Sequence, residues 1–414
     1  MSFPVKIIIV GAGPAGLMAA VAAARKGVRV TVLELLHAPG RKLLASGGGK
    51  CNITNILSEA RFAEAFGRQG RFILPALKLM NSQALRDFFR LRGVDTFSED
   101  GFHFFPVSNK ASDVLKALTD ECKKLNVEIR PETKVNDLLF ENGILTGVST
   151  TGSVFNAGKV IIASGGKGYP ALGATGIGYK LAEQAGHFIV EPVPGLVGLR
   201  TVESWPFSCK GVSFPAVSVS INFPGMKGVK SKGELLFTHR GISGPAVIDI
   251  SGELNHLLRS NPEIGLSVNL FPDFTKDKWL ELFSEWQKRE GRKHIRNLLS
   301  RYMPHCVSDV LCGIAGGVGD VNAAEFKLVQ RQKLADLLLA VPLKINGSEG
   351  FGKAMVTRGG VALKKINPDT LESRLVKGLF FAGEVLDLDG PCGGYNLQWA
   401  FSSGNLAGTS AAED

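Results

Sequence analysis

The chain has 414 residues, of which 44% are hydrophobic and 21% charged, with a formal net charge of +10. This composition is ordinary for a globular protein, and the length allows two or three domains with a sizeable core. The positive charge favours polyanionic partners without establishing one. The six cysteines include no C-x-x-C pair. Their spacing therefore predicts neither a zinc cage nor a disulfide framework, and we expect a cytoplasmic location.

The N-terminal stretch IIIVGAGPAGLMAAVAAA, residues 7–24, carries no charge and has the hydropathy of a signal peptide or a membrane span. Glycines and a proline interrupt it where a strand would turn into a helix, and a second apolar run follows. We therefore predict a strand at 5–10, a helix at 14–26 and a strand at 28–34. Such a βαβ unit is buried in a parallel sheet and crosses no membrane.

The remaining predicted elements include both helices and strands, and after residue 191 the pattern changes to short β-like runs. In chain order they are helices at 76–93 and 111–125, strands at 128–129, 134–140 and 159–162, β-like runs at 216–223 and 234–239, a helical stretch at 275–340, a strand at 379–383 and an apolar helix at 397–407. The beginning and the end of the chain therefore predict one α/β nucleotide-binding domain, interrupted by a β-rich and helical middle.

The glycines of VGAGPAG form the pattern G-x-G-x-x-G at Gly11, Gly13 and Gly16. In this strand-to-helix context the first glycine permits a tight turn, the second admits a pyrophosphate and the third lets the helix pack closely. Glu34 ends the second strand, where its carboxylate can accept hydrogen bonds from both ribose hydroxyls and would repel a 2′-phosphate. The pattern predicts dinucleotide binding rather than a structural glycine turn, but it does not separate FAD from NAD.

A second glycine block, SGGGKC at residues 46–51, has some features of a phosphate-binding P-loop. A P-loop requires a glycine five residues before Gly49 and a serine or threonine after the lysine, and this sequence has Leu44 and Cys51 there. The P-loop interpretation therefore fails.

Four long motifs resemble the BaiN/RdsA, or YhiN-like, flavoprotein family. They are GRKLLASGGGKCNITN (40–55), FPVSNKASDVL (105–115), FTHRGISGPAV (237–247) and FAGEVLDLDGPCGGYNLQWAFSSGNLAG (381–408). The resemblance implies a Rossmann-like FAD-binding domain of the glutathione-reductase type, with an inserted small β-barrel and a helical subdomain. The expected boundaries are 1–190 plus 345–414 for the FAD-binding domain, 191–272 plus 333–344 for the barrel and 273–332 for the helical insert.

The resemblance also implies which residues hold FAD. Gly11, Gly13, Pro14, Ala15 and Gly16 would hold the pyrophosphate, Glu34 the ribose, and Arg41 and Lys42 would flank the phosphates. Ser46, Gly47, Gly48, Gly49, Cys51 and Asn52 would line the flavin, and Val135 would meet the adenine through its backbone. Ala163, Ser164, Gly165 and Gly166 would close over the cofactor, Gly383 and Glu384 would meet the ribityl chain, and Gly393, Gly394, Tyr395, Asn396 and Leu397 would lie beneath the isoalloxazine.

The block Gly390–Gly394 directly precedes an apolar helix, which can aim free N–H groups at an anion. A reduced flavin carries negative charge near N1 and O2, and a helix N-terminus stabilises such charge. The alternative interpretation is a structural one, namely a glycine-rich helix start that binds no ligand. It would require separate explanations for the several glycine blocks of the chain.

Proton transfer at the substrate of a flavoenzyme needs a side chain, because the flavin accepts and returns a hydride. The candidates are Cys51, His239, Lys50 and Tyr395, with Arg240 beside His239. A thiol at Cys51 would protonate a carbanion after hydride addition, or it would be a small buried space-filler. His239 ends a β-like run where a turn would expose it, and a hydrogen-bonded structural histidine fits equally.

The stretch WQKREGRKHIRNLLSRY, residues 286–302, is rich in cations and has aromatic residues nearby. It would form a patch where cations meet RNA phosphates and aromatics stack on bases, or a solvated helix face whose aromatics lie in the core. Sequence alone favours the second interpretation. The cations are Lys288, Arg289, Arg292, Lys293, Arg296 and Arg301, and the aromatics are Trp279, Trp286 and Tyr302.

Members of the family that the motifs resemble are linked to reduction of a uridine to dihydrouridine in large-subunit ribosomal RNA, and others to reductive bile-acid metabolism or amine oxidation. A basic chain fits the RNA role best. The leading hypothesis is an FAD-dependent reductase that delivers a hydride to C6 of uracil while an acid such as Cys51 protonates C5.

Two alternatives stay open. One is a reductase or oxidase of a small steroid-like or amine metabolite, and the other is a non-catalytic flavin-binding electron carrier. NADPH or NADH is the expected transient reductant, and neither a metal nor a membrane is expected as a partner.

Overall fold

The computed structural model describes residues 6–226 and 228–413, which form two units. Unit 1 comprises Met1–Pro194 and Ala354–Asp414, and unit 2 comprises Gly195–Lys353. The β-strands are β1 (Lys6–Val10), β2 (Arg29–Leu33), β3 (Thr54–Asn55), β4 (Thr96–Phe97), β5 (His103–Pro106), β6 (Glu128–Arg130), β7 (Val135–Glu141), β8 (Ile144–Thr150), β9 (Ser153–Asn156), β10 (Lys159–Ile162), β11 (Ile189–Gly195), β12 (Leu199–Thr201), β13 (Ser213–Asn222), β14 (Lys230–Thr238), β15 (Gly241–Ser243), β16 (Ile264–Asn269), β17 (Val341–Ser348), β18 (Val356–Val361) and β19 (Leu379–Phe381).

The α-helices connect these strands and also form a group between β16 and β17. They are α1 (Pro14–Arg25), α2 (Arg41–Ala45), α3 (Glu59–Glu64), α4 (Gly70–Leu79), α5 (Ser82–Arg90), α6 (Ala111–Lys124), α7 (Ile177–Gln184), α8 (Trp205–Ser208), α9 (Pro245–Leu257), α10 (Lys276–Arg289), α11 (Ile295–Leu299), α12 (His305–Ile314), α13 (Leu328–Leu339) and α14 (Tyr395–Ala412).

Unit 1 is built on a parallel sheet whose five described strands have the order β19-β10-β1-β2-β6. Three consecutive isoleucines of β1, Ile7–Ile9, are fully buried, because both faces of a parallel sheet are covered. Helix α1 follows β1 and α14 follows β19, so both helices begin at the carboxyl edge of this sheet. That edge is where ligands bind in open α/β sheets.

Helices α1 and α14 pack against each other through small residues. Cβ atoms placed on Gly404 and Gly408 of α14 would overlap the carbonyl oxygens of Ala15 and Ala19 in α1. The absence of side chains at these two glycines therefore lets the two helix backbones approach closely. Smaller antiparallel sheets complete unit 1, with the strand orders β3-β5-β4 and β7-β8-β9, and β11 pairs with β18.

Unit 2 contains a closed barrel with the strand order β12-β15-β14-β13-β16-β17. Along β16, the buried residues Ile264, Leu266 and Val268 alternate with half-buried ones, as expected for a strand with one face toward the barrel interior. Helices α10 to α13 share a hydrophobic core with the barrel strands. This architecture confirms the predicted α/β class with a Rossmann-like domain and an inserted barrel, whereas the exact domain boundaries stay a prediction.

The helical elements differ from the sequence prediction in several places, and α7 and α9 lie where no helix was predicted. The single helix predicted at 76–93 is wrong, because α4 ends at Leu79 and α5 starts after Asn81, whose side chain caps α5 by accepting a hydrogen bond from Ala84 N–H at 2.9 Å. Helix α14 begins at Tyr395, two residues before its predicted start. The described part of the chain contains no helix long and apolar enough to cross a membrane. It also contains no cluster of three or more His, Cys, Asp or Glu side chains that could hold a metal ion.

Candidate functional site

The first glycine loop joins β1 to α1 at the carboxyl edge of the parallel sheet. A Cβ placed on Gly16 would overlap the carbonyl oxygen of Gly11, so only glycine lets the helix approach the strand. A Cβ placed on Gly13 meets no atom within 4 Å, so packing does not require glycine there. The open space beside Gly13 fits a ligand phosphate that approaches the backbone.

Glu34 lies beside this loop, and only 8% of it is exposed. Its Oε2 accepts a hydrogen bond from Ala12 N–H at 2.7 Å, and its Oε1 accepts one from Leu36 N–H at 2.9 Å. The Thr133 N–H donates to the Glu34 carbonyl at 2.8 Å. This bond places the segment that leads to the buried Val135 next to Glu34. The residues predicted to meet the ribose and the adenine therefore lie in one region of unit 1.

Lys42, Glu384 and Thr357 form a polar network. Lys42 Nζ donates to Glu384 Oε2 at 2.7 Å, and Thr357 N–H donates to Glu384 Oε1 at 2.8 Å. The Thr357 hydroxyl accepts hydrogen bonds from the N–H groups of Lys167 at 2.7 Å and Gly168 at 3.1 Å. Thr357 is fully buried, and the sequence analysis missed it because a lone threonine in a strand belongs to no motif.

The segment Ala163–Gly166 follows β10 at the same edge of the sheet. Ser164 Oγ is buried and has no hydrogen-bond partner among the described residues. A Cβ placed on Gly165 meets nothing within 4 Å, whereas one on Gly166 would overlap the Thr357 hydroxyl. Because a buried hydroxyl without a partner is costly, Ser164 is suited to bond a ligand at this edge.

The second glycine loop follows α2 at Ser46–Gly49. Gly47 and Gly48 have φ angles of 56° and 65°, which favour glycine, and both are exposed. Lys50, which directly follows this loop, is exposed as well. The backbone of this loop is therefore accessible to a ligand that lies against it.

Cys51 is fully buried, in contrast with its neighbour Lys50. Burial raises the pKa of the Cys51 thiol to about 12, and a hydrogen bond with Ser46 opposes this only weakly. The thiol therefore stays protonated at neutral pH, and the side chain belongs to the hydrophobic core of unit 1.

Two asparagines connect the second glycine loop, at residues 46–49, to a third glycine block, at residues 390–394, which precedes α14. Asn55 Nδ2 donates to the Gly393 carbonyl at 2.9 Å. Asn52, with its amide oriented to satisfy both neighbours, donates to the Thr54 carbonyl at 3.1 Å and accepts from Gly394 N–H at 3.2 Å. A Cβ placed on Gly394 would lie 2.6 Å from the carbonyl carbon of Thr54. The structure thus brings together two of the glycine blocks predicted to meet the flavin.

The first side chains of α14 make internal contacts. Asn396 Oδ1 accepts from Gly390 N–H at 2.9 Å, and Asn396 Nδ2 donates to the Gly390 carbonyl at 2.9 Å, which closes the third block. The Tyr395 ring packs against Phe62, with 4.8 Å between centroids, and against Phe66 at 6.4 Å. Tyr395 is 8% exposed and belongs to the core of unit 1.

Three more predicted residues lie in unit 1. Gly383 follows β19, and its N–H donates to Ser403 Oγ at 2.9 Å. Leu397 is partly buried against the core, and Arg41 is exposed at the start of α2. These positions are compatible with the predicted roles, which stay predictions.

A histidine that the sequence analysis missed lies at the third glycine block. His103 is the first residue of β5, and its Nε2 is 3.2 Å from the position of a Cβ placed on Gly393. Its Nδ1 is 2.5 Å from Asp100 Oδ2. The sequence carried no signal for this pair, because it belongs to no catalytic motif and lies far from Gly393 along the chain.

His239 and Arg240 lie in unit 2, at the turn between β14 and β15, and both are exposed. The Arg240 N–H donates to Thr238 Oγ1 at 3.3 Å. Both residues are therefore part of the barrel rather than of the α/β domain.

The cationic stretch of unit 2 is partly compensated by acidic side chains. Glu290 accepts hydrogen bonds from Arg301 Nη1 at 2.6 Å, from Arg301 Nη2 at 2.5 Å and from Lys293 Nζ at 2.6 Å. These bonds, with Arg301 first, lower the pKa of the Glu290 carboxyl to about 2. Arg296 pairs with Asp320. Half of the predicted patch is thus engaged in ion pairs.

The tryptophans near this stretch lie in the core. Trp279 is fully buried and Trp286 is 4% exposed, so neither presents a face on which a base could stack. Tyr302 is 38% exposed, and its ring centroid lies 5.7 Å from that of Trp279. Three exposed cations have no ion-pair partner among the described residues, namely Lys288, Arg289 and Arg292.

Comparisons with known proteins agree with this architecture. A family model described as "HI0933-like protein Rossmann domain" matches residues 5–410. A 3-dehydro-bile acid delta(4,6)-reductase from Clostridium scindens is 34% identical over 413 residues, which is 99% of each chain. A ribosomal RNA dihydrouridine synthase from Escherichia coli K12 is 33% identical over 399 residues, which is 96% of this chain and 95% of that protein.

Among solved structures, the open conformation of a flavocytochrome c3 fumarate reductase has a TM-score of 0.53 at 18% identity. The match covers 99% of this chain and 78% of that one. At this level of identity the likeness concerns the fold alone.

Proposed function

This chain belongs to the HI0933-like family of FAD-dependent oxidoreductases, and from that premise we propose that it reduces a carbon–carbon double bond conjugated to a carbonyl group. The proposed substrate is a uridine of large-subunit ribosomal RNA, which becomes dihydrouridine. The structural observation that supports a flavin site is the linkage of the second and third glycine blocks by Asn52 and Asn55.

The names of two relatives describe one kind of bond change on different substrates. In a 3-oxo bile acid with Δ4,6 double bonds the alkenes are conjugated to the C3 carbonyl, and in uracil the C5–C6 double bond is conjugated to the C4 carbonyl. A conjugate reduction adds a hydride to the carbon remote from the carbonyl, and an acid protonates the carbon nearer to it. This shared chemistry supports the proposal for the present chain.

The residues of unit 1 fit FAD. The space beside Gly13 is open, Ala12 and Leu36 hold both oxygens of Glu34 in place, and the buried Ser164 hydroxyl has no partner among the described residues. We assign the pyrophosphate to the first glycine loop, the ribose to Glu34 and the flavin ring to the second and third blocks. Bound FAD supplies a two-electron hydride carrier at that place.

The side chains considered for proton transfer occupy different environments. Lys50 is exposed beside the second glycine loop, whereas Cys51 and Tyr395 are buried in the core and His239 belongs to unit 2. A fully buried thiol releases its proton with difficulty, because the thiolate would lose its hydration. Of the three that lie in unit 1, Lys50 has the best access to a substrate that enters from solvent.

RNA binding is assigned to the cations that the protein does not itself neutralise. Lys288, Arg289 and Arg292 are exposed near the end of α10, where they can pair with phosphates. The net charge of +10 favours the same kind of partner. NADPH or NADH is the proposed source of reducing equivalents.

One observation favours a small enone as the alternative substrate. The identity to the bile-acid reductase, 34%, is within one percentage point of that to the RNA enzyme, 33%, and both matches extend over nearly the whole chain. The internal neutralisation of Lys293, Arg296 and Arg301 also weakens the case for a large RNA-binding surface.

A direct experiment separates these substrates. Large-subunit ribosomal RNA from a strain lacking the gene should lose one dihydrouridine by mass spectrometry, and a plasmid copy should restore it. In parallel, the purified protein should show a flavin spectrum and, once reduced, should act on the RNA in preference to a 3-oxo-Δ4,6 bile acid. Unchanged dihydrouridine together with turnover of the bile acid would establish the alternative, and flavin binding without either reaction would indicate an electron carrier.

A further inference from the structure

Strand β5 passes both the second and the third glycine block. His103 and Phe105 are two residues apart, so their side chains share one face of the strand, and their ring centroids lie 6.4 Å apart. Phe105 Cε1 is 3.5 Å from a Cβ placed on Gly47, and His103 Nε2 is 3.2 Å from one placed on Gly393. Asn55, which donates to the Gly393 carbonyl, pairs with His103 in the β3–β5 ladder. The backbone pairing thus fixes the imidazole beside the third block.

Asp100 holds the imidazole in one orientation. His103 Nδ1 is 2.5 Å from Asp100 Oδ2, while Asp100 Oδ1 accepts from the N–H groups of Phe102 and His103, each at 2.9 Å. These hydrogen bonds, led by that of the His103 N–H, hold the pKa of the Asp100 carboxyl well below its usual range. An ionised carboxylate at Nδ1 keeps a proton on that nitrogen and leaves Nε2 directed toward Gly393.

We propose that His103 is the catalytic acid of this enzyme, giving the proton from Nε2 to the substrate, and that Asp100 is its positioning residue. This inference rests on the proposed function, because it names the acid of the same reduction.

With reduced FAD bound, a hydride would form the C–H bond at the remote carbon as the π bond breaks, and the flavin would be oxidised by two electrons. The Nε2 proton of the His103 imidazolium would form the C–H bond at the carbon nearer the carbonyl, and the neutral imidazole left behind would regain a proton from solvent.

Accessibility separates His103 from the candidates named by sequence. Its side chain is 33% exposed, whereas Cys51 is fully buried and Tyr395 is 8% exposed in an aromatic cluster. Imidazole is also the side chain best suited to give and regain a proton near neutral pH. Lys50 is exposed, but no described carboxylate holds its ammonium group in a fixed orientation.

The placement of His103 can be tested without any substrate. The protein contains seven histidines, so ¹⁵N-histidine labelling gives a tractable NMR spectrum, and His103→Gln identifies the His103 signals. We expect FAD, added to flavin-free protein, to shift the His103 Nε2 resonance. His305 is the matched control, because its Nδ1 also pairs with a carboxylate, Asp309 Oδ2, at 2.8 Å, and its signal should not move. An unmoved His103 signal would overturn the proposal whatever the substrate is.

The chemical role is tested with pre-reduced holoenzyme, which is mixed separately with ribosomal RNA, with the bile acid and with ferricyanide. Ferricyanide accepts electrons from the flavin, and its reduction requires no protonation of a carbon atom. His103→Gln should slow reduction of the organic substrate by about 100-fold or more, and at saturating FAD it should slow ferricyanide reduction far less. Asp100→Asn should slow it less and remove the downfield Nδ1–H signal, whereas His305→Gln should change nothing.

The outcomes separate this inference from the proposed function. Equal substrate reduction by His103→Gln and the wild type overturns the role of His103 and leaves the proposed function intact. If the wild type reduces neither substrate, the proposed reduction fails and the role of His103 as its acid fails with it, whereas the NMR shift still decides whether His103 lies at the flavin.

Discussion

The Asn55 amide donates to the carbonyl oxygen of Gly393 at 2.9 Å, and so joins two segments that are far apart along the chain. Asn55 is fully buried and follows the SGGGKC loop, whereas Gly393 precedes the last helix. Because both glycine blocks are proposed to meet the flavin, a buried residue outside the predicted FAD-binding set helps to fix their relative position.

Asn55→Ala should therefore affect both folding and cofactor binding. Removal of the amide leaves the buried Gly393 carbonyl without this donor, which costs about 1–3 kcal/mol in the free energy of unfolding. Urea unfolding of flavin-free protein and fluorescence titration with FAD measure the two effects, and we expect weaker FAD binding. Asn297→Ala, at an exposed position of α11, is the control and should leave both unchanged. Wild-type FAD affinity in Asn55→Ala would show that the two blocks need no such link.

The environment of Cys51 predicts low reactivity toward iodoacetamide. Alkylation requires the thiolate, and burial raises the pKa of this thiol to about 12. At pH 8 we expect the exposed Cys392 to react and Cys51 to stay unmodified in the folded protein. Peptide mass spectrometry after timed labelling checks this, with labelling in urea as the control in which Cys51 does react. Rapid modification of Cys51 in the folded state would mean that the loop opens to solvent.

Asp387 should give stability a pH dependence of defined sign. Burial raises the pKa of its carboxyl above the usual 3.8, against an opposing hydrogen bond from Gln69 Nε2 at 2.9 Å. A folded-state pKa above the unfolded one stabilises the protein fully below about pH 4, and this contribution is lost as the pH rises through the folded-state value. Asp387→Asn should therefore flatten the dependence of the unfolding free energy on pH above about pH 4 in urea titrations. The exposed Asp369→Asn should reproduce the wild-type curve, and a steeper curve for Asp387→Asn would reverse the assigned sign.

The three uncompensated cations of unit 2 should carry the salt-dependent part of RNA binding. Reversal of Lys288, Arg289 and Arg292 to glutamate should weaken binding and make the plot of log affinity against log salt less steep by about 2 to 3. Filter binding to a ribosomal RNA fragment at several salt concentrations measures both quantities. The same reversal at Lys110, Lys123 and Lys124, which are exposed in unit 1, is the control. Equal losses in the two triple variants would indicate an effect of net charge alone.

Local patterns in the sequence were sufficient for the parallel sheet and for the first glycine loop. The isoleucines of β1 and the glycines at 11, 13 and 16 lie within a few residues of one another. The apolar run predicts the strand, and the glycine spacing predicts the turn and the start of the helix. The barrel insert and the flavoprotein type followed from the long family motifs. The break between α4 and α5 was missed, because the apolar periodicity continues across the capping residue Asn81.

Only the tertiary structure decided which polar side chains act together. His103 meets Gly393, Thr357 holds the backbone at Lys167 and supports Glu384, and Glu290 neutralises Arg301 through bonds that no local pattern encodes. The same holds for Cys51, whose burial depends on the packing of distant segments rather than on its neighbours Lys50 and Asn52. Residue type and spacing therefore determined which loops could bind a dinucleotide. Folding determined which side chains beside those loops stay accessible and which are neutralised, because charge and solvent exposure depend on contacts between residues far apart in the chain.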